Sequence, residues 1–289
     1  MSMYVGANNV AHKIPKAYVG VNGVARKITA GYVGVNGVAR RIFGGTVIKS
    51  FATATDEEIT SILDAVRNGD ISVNDLGWSV GDERSVHLSA MAATGVGESH
   101  VEQDQTLIIL HGSDVFDLVD GGKNLFVIGL KNVLANGTTS EGGYINSTDT
   151  NVGGWKDSAR RSWCDNVFMK ALPTEVQKWF KKFKYLAGKG NKSTETDELE
   201  NYFTFASRFE AFGNNSYTAA ENTIQFDYYK TQANRIKCPG DSGEGYALYW
   251  FLRSASTSNT TNFSFVGGGG TAGAVEASWP YGLSPFGCI

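Results

Sequence analysis

The chain has 289 residues, of which 42% are hydrophobic, so it can hold one large domain with an appendage, or two domains, around a real core. A formal net charge of −3 gives no electrostatic footprint for nucleic acid, and no apolar segment approaches the roughly 18 residues that cross a bilayer. The charge and the absence of a long apolar segment lead us to expect no nucleic-acid partner and no membrane insertion. Residues 1–4 lack the basic and apolar regions of a secretory signal, so we expect cytoplasmic synthesis.

The same phrase occurs three times between residues 4 and 42, starting at Tyr4, Tyr18 and Tyr32. Each copy sets two short β-prone runs around an Asn-Asn or Asn-Gly pair. Asn-Gly favours a tight hairpin because a type I′ turn needs positive φ at both central positions. The pattern therefore predicts three β-hairpin repeats within residues 1–45.

A hairpin of this size is marginal alone, so the three must stack on each other, on the main domain or on another protein. The alternative is a duplicated flexible linker, although linkers rarely repeat Tyr, Val and Ile at fixed places. The repeats resemble segments of phage tail and virion-associated proteins. That resemblance suggests a docking or assembly arm that contacts virion or tail proteins.

A second domain is predicted from about residue 46, beginning with an amphipathic helix. Thr55 to Glu58 predict a capping box, and Asn68-Gly69 predicts the end of the helix. Between these signals the apolar residues recur at helical spacing: Ile59, Ile62, Leu63 and Val66. This spacing predicts one face that packs against a core.

Further along, the pattern predicts two more helices and several short strands. One helix is expected over residues 157–172, and another starts at Pro173 and carries Val176, Trp179, Phe180 and Phe183 on one face. The strand candidates are residues 106–111, 125–130 and 248–252. Few helices, several short strands and much loop indicate an α+β domain.

Catalytic motifs are weak in this sequence. Gly268, Gly270 and Gly273 match a dinucleotide fingerprint, but too few residues follow them to complete a βαβ unit. His100 beside Glu98, and His111 near Asp114, could be assembled into a hydrolytic site, whereas a satisfied core or surface histidine is the simpler interpretation. We therefore expect no catalytic residues.

Residues 246–289 organise the rest of the chain. They open with the apolar run 248–252, short enough for a strand buried on both faces. Small and polar residues follow, with four glycines in a row at 267–270, and the segment ends on the apolar residues 285–289. Such an end is normally tucked in, so we predict a surface loop system held at both ends. The alternative is an ordinary glycine-rich loop region.

This segment resembles the variable region of proteins that are diversified by retroelements. Those proteins are built on a C-type-lectin fold related to formylglycine-generating enzymes. The resemblance spans most of residues 76–289 and implies a C-type-lectin-like domain over residues 46–289, with its variable region at about 246–289. The positions that resemble the fixed scaffold of the family are Trp250, Leu252, Arg253, Ser254, Phe263, Val266, Gly270, Ala272, Ala277, Gly282, Pro285, Cys288 and Ile289.

The resemblance also implies variable positions, which would form an exposed ligand-binding patch. Adenine-directed mutagenesis of an AAY asparagine codon reaches Gly, Ala, Thr, Val, Ser, Tyr and Phe, but neither Trp nor Glu. Glu276 and Trp279 would therefore need another template codon or would belong to the scaffold. The implied patch comprises Phe265, Gly267, Gly268, Gly269, Thr271, Gly273, Ala274, Val275, Glu276, Trp279 and Tyr281.

No cofactor or metal site is expected from these features. Asp114, Asp117 and Asp120 could ligate calcium, as in some lectin-like domains, but they lack the order of an EF-hand, so a solvated turn is preferred. The chain has three cysteines, which are widely spaced and include no C-x-x-C pair. This pattern predicts buried free thiols at Cys164, Cys238 and Cys288. The related enzymes use a redox cysteine pair that is not visible here.

The sequence thus favours a non-enzymatic binding protein, in which a rigid scaffold displays a hypervariable patch for adhesion to a host. The resemblance implies a place on a virion, at a phage tail tip, or on a bacterial cell surface, and a bacterial surface protein or glycan as ligand. Trp279, Tyr281 and Phe265 would supply most of the binding energy, because aromatic residues dominate hot spots. The competing hypotheses are a virion or tail assembly protein without a diversified site, a static surface adhesin, and a catalyst of the formylglycine type.

Overall fold

The computed structural model describes residues 48–97, 99–134, 143–240 and 246–289 with their side chains, and the backbone of six strands between residues 3 and 44. The chain divides into two compact units, one made of Met1–Lys49 with Ser61–Leu76 and the other of Ser50–Thr60 with Gly77–Ile289. The predicted division lay between residues 45 and 46. Each unit is described by itself below.

The backbone of the first unit contains three antiparallel strand pairs. The pairs are β1 (Met3–Ala7) with β2 (Val10–Ile14), β3 (Tyr18–Val21) with β4 (Val24–Lys27), and β5 (Ala30–Val35) with β6 (Val38–Gly44). The Asn-Asn and Asn-Gly pairs on which the hairpin prediction rests lie outside the described residues.

Helix α1 (Asp56–Arg67) confirms the first helix prediction, including both of its ends. The Thr55 amide donates to Glu58 Oε2 at 2.9 Å, and the Glu58 amide donates to Thr55 Oγ1 at 3.3 Å. This reciprocal capping box satisfies two amides that the helix leaves unpaired. After Arg67 the chain reaches Gly69, whose φ of 71° leaves the helical region. A 3₁₀ turn follows at Val73–Asp75.

A five-stranded antiparallel sheet forms the centre of the second unit. Its strands lie in the order β12, β16, β9, β8, β7. Every residue of β9 and of β16 is buried, because these strands lie inside the sheet and are apolar throughout. The bounds are β7 (Glu83–Leu88), β8 (Gln103–His111), β9 (Val127–Leu130), β12 (Phe203–Phe205) and β16 (Pro285–Cys288).

The predicted helix over residues 157–172 is present but interrupted. It consists of α2 (Ala159–Trp163), a π-helical turn (Cys164–Phe168) and α3 (Met169–Ala171). Ser158 caps it, since its hydroxyl accepts a bond from the Arg161 amide at 3.2 Å.

The prediction of a third helix reaching Phe183 was wrong. Helix α4 covers only Thr174–Gln177, and Phe183 begins strand β10 (Phe183–Gly188). Between them the Lys181 amide donates to the carbonyl of Cys288 at 2.8 Å, so pairing with the end of the central sheet replaces the helical pattern. Tertiary pairing of this kind commonly overrides local helix propensity.

Several further elements lie between β9 and β16 along the chain. Strand β11 (Thr196–Asn201) pairs with β10, and α5 (Arg208–Phe212) begins with a capping box between Ser207 and Glu210. Two 3₁₀ turns cover Asp227–Lys230 and Gln232–Arg235. The fold is therefore mixed α and β with several small antiparallel sheets. Within the described ranges, no helix is both long enough and apolar enough to cross a bilayer.

Candidate ligand-binding surface

A three-stranded antiparallel sheet and the turn between its last two strands carry nine of the eleven predicted patch residues. It consists of β13 (Trp250–Ala255), β14 (Asn262–Val266) and β15 (Ala272–Glu276), in that order. All of β13 is buried, whereas Ala272 and Ala274 on β15 are exposed. The sheet thus passes from a buried strand to an exposed one.

Strand β13 is anchored by a buried ion pair. Both carboxylate oxygens of Glu210 accept bonds from the Arg253 guanidinium at 2.7 Å, and both side chains have no solvent exposure. Arg253 also donates to the carbonyl of Phe205 at 2.7 Å. Burial by itself lowers the pKa of Arg253, but the Glu210 carboxylate overrides this effect and raises it. The pair fixes β13 against β12 and α5.

The loop between β13 and β14 is held by one amide side chain. Asn151 is fully buried, and its Nδ2 donates to the carbonyls of Ser256, Asn259 and Asn262 at 3.3, 3.2 and 2.9 Å. Its Oδ1 accepts the amide of Asn191 at 2.8 Å. A single side chain therefore fixes both ends of this loop.

The glycine run forms a turn between β14 and β15. The Gly267 amide donates to the Thr271 carbonyl at 2.7 Å, and the Gly270 amide donates to the Gly267 carbonyl at 2.8 Å. From the neighbouring 3₁₀ turn, Gln232 Nε2 donates to the Gly269 carbonyl at 2.8 Å and Arg235 Nε to the Gly270 carbonyl at 3.0 Å. These side chains hold the turn in one position.

Three aromatic side chains meet on this sheet and define what we call the aromatic cluster: Tyr249, Phe265 and Tyr281. Their ring centroids lie 5.1 to 5.5 Å apart in all three pairs. The parallel bridge between Trp250 and Gly282 brings Tyr281 beside Tyr249. Half of the Tyr249 surface is exposed, so the cluster presents aromatic surface to solvent on a rigid base.

Trp279 projects from the turn after β15, with 53% of its surface exposed. Its amide donates to the Glu276 carbonyl at 3.2 Å, and the neighbouring Ser278 hydroxyl donates to the Asp149 carboxylate. The carbonyl of Ala277 accepts the amides of Ile145 and Asn146. The backbone under Trp279 is therefore fixed although its indole is free to contact a ligand.

Exposure separates the predicted patch from the predicted scaffold, with three corrections. Gly267 and Val275 are buried, so the expectation that they face solvent was wrong. Val275 pairs with buried Phe263 across the sheet and shares its inner face. Ala272, expected in the scaffold, is exposed, while the other twelve scaffold positions are buried. The remaining patch residues are exposed at Gly269, Thr271, Ala274 and Trp279, and partly exposed at Phe265, Gly268, Gly273, Glu276 and Tyr281.

The glycines of the patch differ in the space around them. A Cβ on Gly269 would meet nothing within 4 Å, whereas one on Gly268 would lie 3.0 Å from the Ala247 carbonyl oxygen. A Cβ on Gly273 would clash with the ring of Phe265, which is the residue of β14 that pairs with Gly273. Substitution at Gly273 thus requires Phe265 to move, whereas Gly269 has open space for a Cβ.

Adjacent glycines in the turn are expected to respond in opposite ways to substitution. Gly269→Tyr should leave the free energy of unfolding within about 0.5 kcal/mol of the parent, as is usual for open surface sites. Gly270→Tyr should lower it by about 1–3 kcal/mol or more, because its φ is 73° and a Cβ would lie 2.6 Å from the Gln232 carbonyl oxygen. Urea denaturation of both variants measures the difference, and equal losses would contradict this account of the turn.

Several residues important to this surface were not identified from the sequence. Tyr249 belongs to the aromatic cluster but was placed in a buried strand, although the alternation of Leu248, Tyr249 and Trp250 could have indicated an outward side chain. Gln232, Arg235 and Asn151 come from distant segments, and no local pattern marks them. Their role depends on tertiary position alone.

The other candidate groups of the sequence do not converge on a site within the described residues. His111 Nδ1 accepts the amide of Asp227 at 3.1 Å and lies equally close to the Asp227 carboxylate. Burial lowers the pKa of this histidine, and the Asp227 charge opposes that effect in part. His100 is buried and its ring centroid lies 6.0 Å from that of Trp163, while Glu98 lies outside the described residues. No three histidine, cysteine or acidic residues of the described ranges are grouped as for a metal.

The aspartates of the acidic turn, Asp117 and Asp120, form ion pairs with lysines, and the three cysteines are not joined to one another. Asp117 pairs with Lys123 at 2.8 Å, and Asp120 with Lys181 at 3.3 Å. All three cysteines are free thiols; two are buried and Cys238 is partly exposed. Burial raises the pKa of Cys164 and of Cys288 well above the ordinary thiol value, which makes them unreactive near neutral pH.

The family comparison covers the part of the chain that carries this surface. The model of DUF6273, a domain of unknown function, matches residues 127–289, more than half of the chain. The chain belongs to the DUF6273 family. The DUF6273 region starts at β9 and includes the three-stranded sheet, the glycine turn and the aromatic cluster. No curated protein and no solved structure matches the chain.

Proposed function

We propose that this protein is a non-enzymatic binding protein that recognises its ligand with the surface formed by the aromatic cluster, the glycine turn and Trp279. The observation that carries the proposal is the exposed aromatic cluster on a sheet whose inner positions are buried. Large aromatic side chains exposed on a fixed backbone are typical of binding hot spots, since they bury much area and lose few rotamers on contact.

The division between fixed and replaceable positions supports diversification of this surface. Exposed residues such as Thr271 and Ala274 can change at little cost to the core, because surface substitutions typically alter stability by only about 0.5 kcal/mol. Arg253 and Asn151 hold the backbone from beneath. This arrangement suits a C-type-lectin-like variable protein of a diversity-generating retroelement, as the sequence resemblance implies. On that proposal the protein acts in adhesion of a phage tail, or of a bacterial surface, to a bacterial protein or glycan.

Binding is expected to depend on the exposed aromatic residues. Tyr249→Ala or Trp279→Ala should weaken binding of the labelled protein to intact bacterial cells by about tenfold or more, the loss typical of a hot-spot side chain. The binding is measured by flow cytometry over a panel of bacterial strains, after urea denaturation has shown that the variants fold. A strain that binds the parent serves for the comparison.

Tyr217→Ala is the matched control, because Tyr217 is 75% exposed and its carbonyl accepts the Thr257 amide at the other end of the β13–β14 region. This variant should bind like the parent. Equal losses in all three variants, or undiminished binding by Tyr249→Ala and Trp279→Ala, would refute the assignment of this surface.

A virion or tail assembly protein remains the competing proposal, with the three strand pairs of the first unit as its contact arm. The DNA sequence beside the gene distinguishes the diversified binding protein from the assembly protein. A near-copy of the segment encoding residues 246–289, with adenines at the variable codons and a reverse transcriptase gene beside it, supports diversification. Even variation across isolates, without such a copy, supports the assembly role or a static adhesin.

A further inference from the structure

A polar groove of about 680 Å³ lies on the second unit, beside the interrupted helix. One wall is the π-helical turn with the flanking turns of α2 and α3, and the other contains residues 200–202 at the end of β11. Inserted π-turns are uncommon and occur frequently at functional sites, because they displace side chains from the helical register. No part of the predicted patch lines this groove.

Arg161 faces the groove and is held by neutral groups. Its Nε donates to the Asn201 side-chain oxygen at 2.8 Å, and its two terminal nitrogens donate to the carbonyls of Glu200 and Lys156 at 3.3 Å. These bonds orient the guanidinium without neutralising its charge. A fixed, half-buried guanidinium of this kind can bind an oxyanion through two parallel bonds.

Asp165, one of two carboxylates that lie four residues from Arg161 in sequence, is already used by the protein. Asp165 Oδ1 accepts the amides of Tyr202 and Phe203 at 3.0 and 3.1 Å, and its Oδ2 accepts the Asn201 amide group at 2.8 Å. Asp165 therefore closes the wall of the groove. Its oxygens are engaged with neutral donors and do not form an ion pair with Arg161.

Two lysines in the groove also lack a carboxylate partner among the described residues. Lys182 Nζ lies 5.4 Å from the centroid of the Tyr202 ring, and no bonding partner is found for Lys170 in the described ranges. Seven other lysines of these ranges form ion pairs with Asp or Glu: Lys123, Lys131, Lys156, Lys178, Lys181, Lys189 and Lys230. Three cations without an ion-pair partner in the described ranges thus share one groove. Its lining also contains three carboxylates that form no ion pair in these ranges: Asp157, Asp165 and Glu200.

We propose that this groove binds a ligand bearing an oxyanion, a phosphate or a carboxylate group, with Arg161 as the bidentate donor and Lys170 and Lys182 as flanking charges. The groove volume suits a small molecule or one or two units of a polymer. The site lies apart from the aromatic cluster, so the proposal does not depend on the function assigned to that surface.

Titration of the full chain with inorganic phosphate, and separately with glucuronate, tests the site by ¹H–¹⁵N NMR. We expect saturable shifts in the millimolar range at residues 161–170 and 200–202, and the tighter of the two probes identifies the oxyanion. Lys170→Gln should weaken binding about threefold. Arg161→Lys, which keeps the charge but loses the planar fork, should weaken it about tenfold.

Lys192→Gln is the control, because Lys192 is exposed and lies outside the groove. This substitution removes the same charge as Lys170→Gln. This variant should bind both probes like the parent. The proposal is overturned if neither probe gives saturable shifts in the groove, or if Lys192→Gln weakens binding as much as Lys170→Gln. The second outcome would indicate screening of overall charge rather than a defined site.

Discussion

Glu210→Gln is expected to lower the free energy of unfolding by about 3–5 kcal/mol, since removing one partner of a buried ion pair leaves an uncompensated buried charge. Glu210 and Arg253 have no solvent exposure, so water cannot replace the lost carboxylate. The glutamine keeps the size of the side chain and can still serve the Ser207 cap, so the loss reports mainly the charge. Urea denaturation at neutral pH measures it.

Glu198→Gln provides the matched control, because Glu198 is exposed on β11 and should change stability by no more than about 0.5 kcal/mol. The double variant Glu210→Met/Arg253→Met should lose less stability than Glu210→Gln, because the Arg253 charge is removed together with its partner. The neighbouring buried carboxyl of Glu221, whose pKa burial already raises, can take up a proton when Arg253 is absent. A loss below about 1 kcal/mol in Glu210→Gln would mean that water or another group compensates Arg253, and that β13 is not anchored as described.

The stability of the protein is expected to rise between pH 7 and pH 9 because of Lys237. This lysine is fully buried and donates to the carbonyls of Leu130 and Lys131 at 2.5 and 2.9 Å. Burial lowers its pKa to about 7 from the ordinary value of 10.5. In this window the unfolded chain keeps the proton that the folded protein releases, so Lys237 makes stability increase with pH and contributes about 2 kcal/mol to that increase.

Lys237→Met removes the titrating group and should flatten this pH dependence, whereas Lys192→Met, at an exposed site, should keep it. Thermal or urea unfolding at pH 7, 8 and 9 gives the comparison. The thiols of Cys164 and Cys288 act in the opposite direction within the upper part of this window. Burial raises their pKa above the value of about 8.5 at which free thiols ionise, so from about pH 8 upward they lower stability in the parent and in Lys237→Met alike. Parallel curves for the parent and Lys237→Met would show that Lys237 is not buried in its neutral form.

Local signals in the sequence predicted much of the fold. The capping box at Thr55, the stop at Gly69 and the apolar runs that became β8 and β9 depend on neighbouring residues, and each prediction was confirmed within a few positions. The burial of residues 285–289 also followed from their composition. Signals of this kind act over one element, where sequence patterns are informative.

Features that depend on distant partners were beyond prediction. Phe183 fits a helical face, yet the sheet pairing at Lys181 draws this segment into strand β10. Val275 sits at a position that the family resemblance marks as variable, yet it faces the interior beside Phe263. Tyr249 joins the aromatic cluster because the tertiary structure brings Phe265 of β14 and Tyr281, beside Gly282, against its ring. Such outcomes are set by packing rather than by local pattern.

The position of β16 has a consequence for how the protein acquires its structure. This strand fills the place between β9 and β12 in the central sheet, although it is made long after both of them. A ribosome must therefore release residues 285–288 before the sheet can close, and the place between β9 and the edge strand β12 stays empty until then. Pairings between such distant segments slow folding, so the nascent chain exposes unpaired strand edges to chaperones or to other chains until this late step.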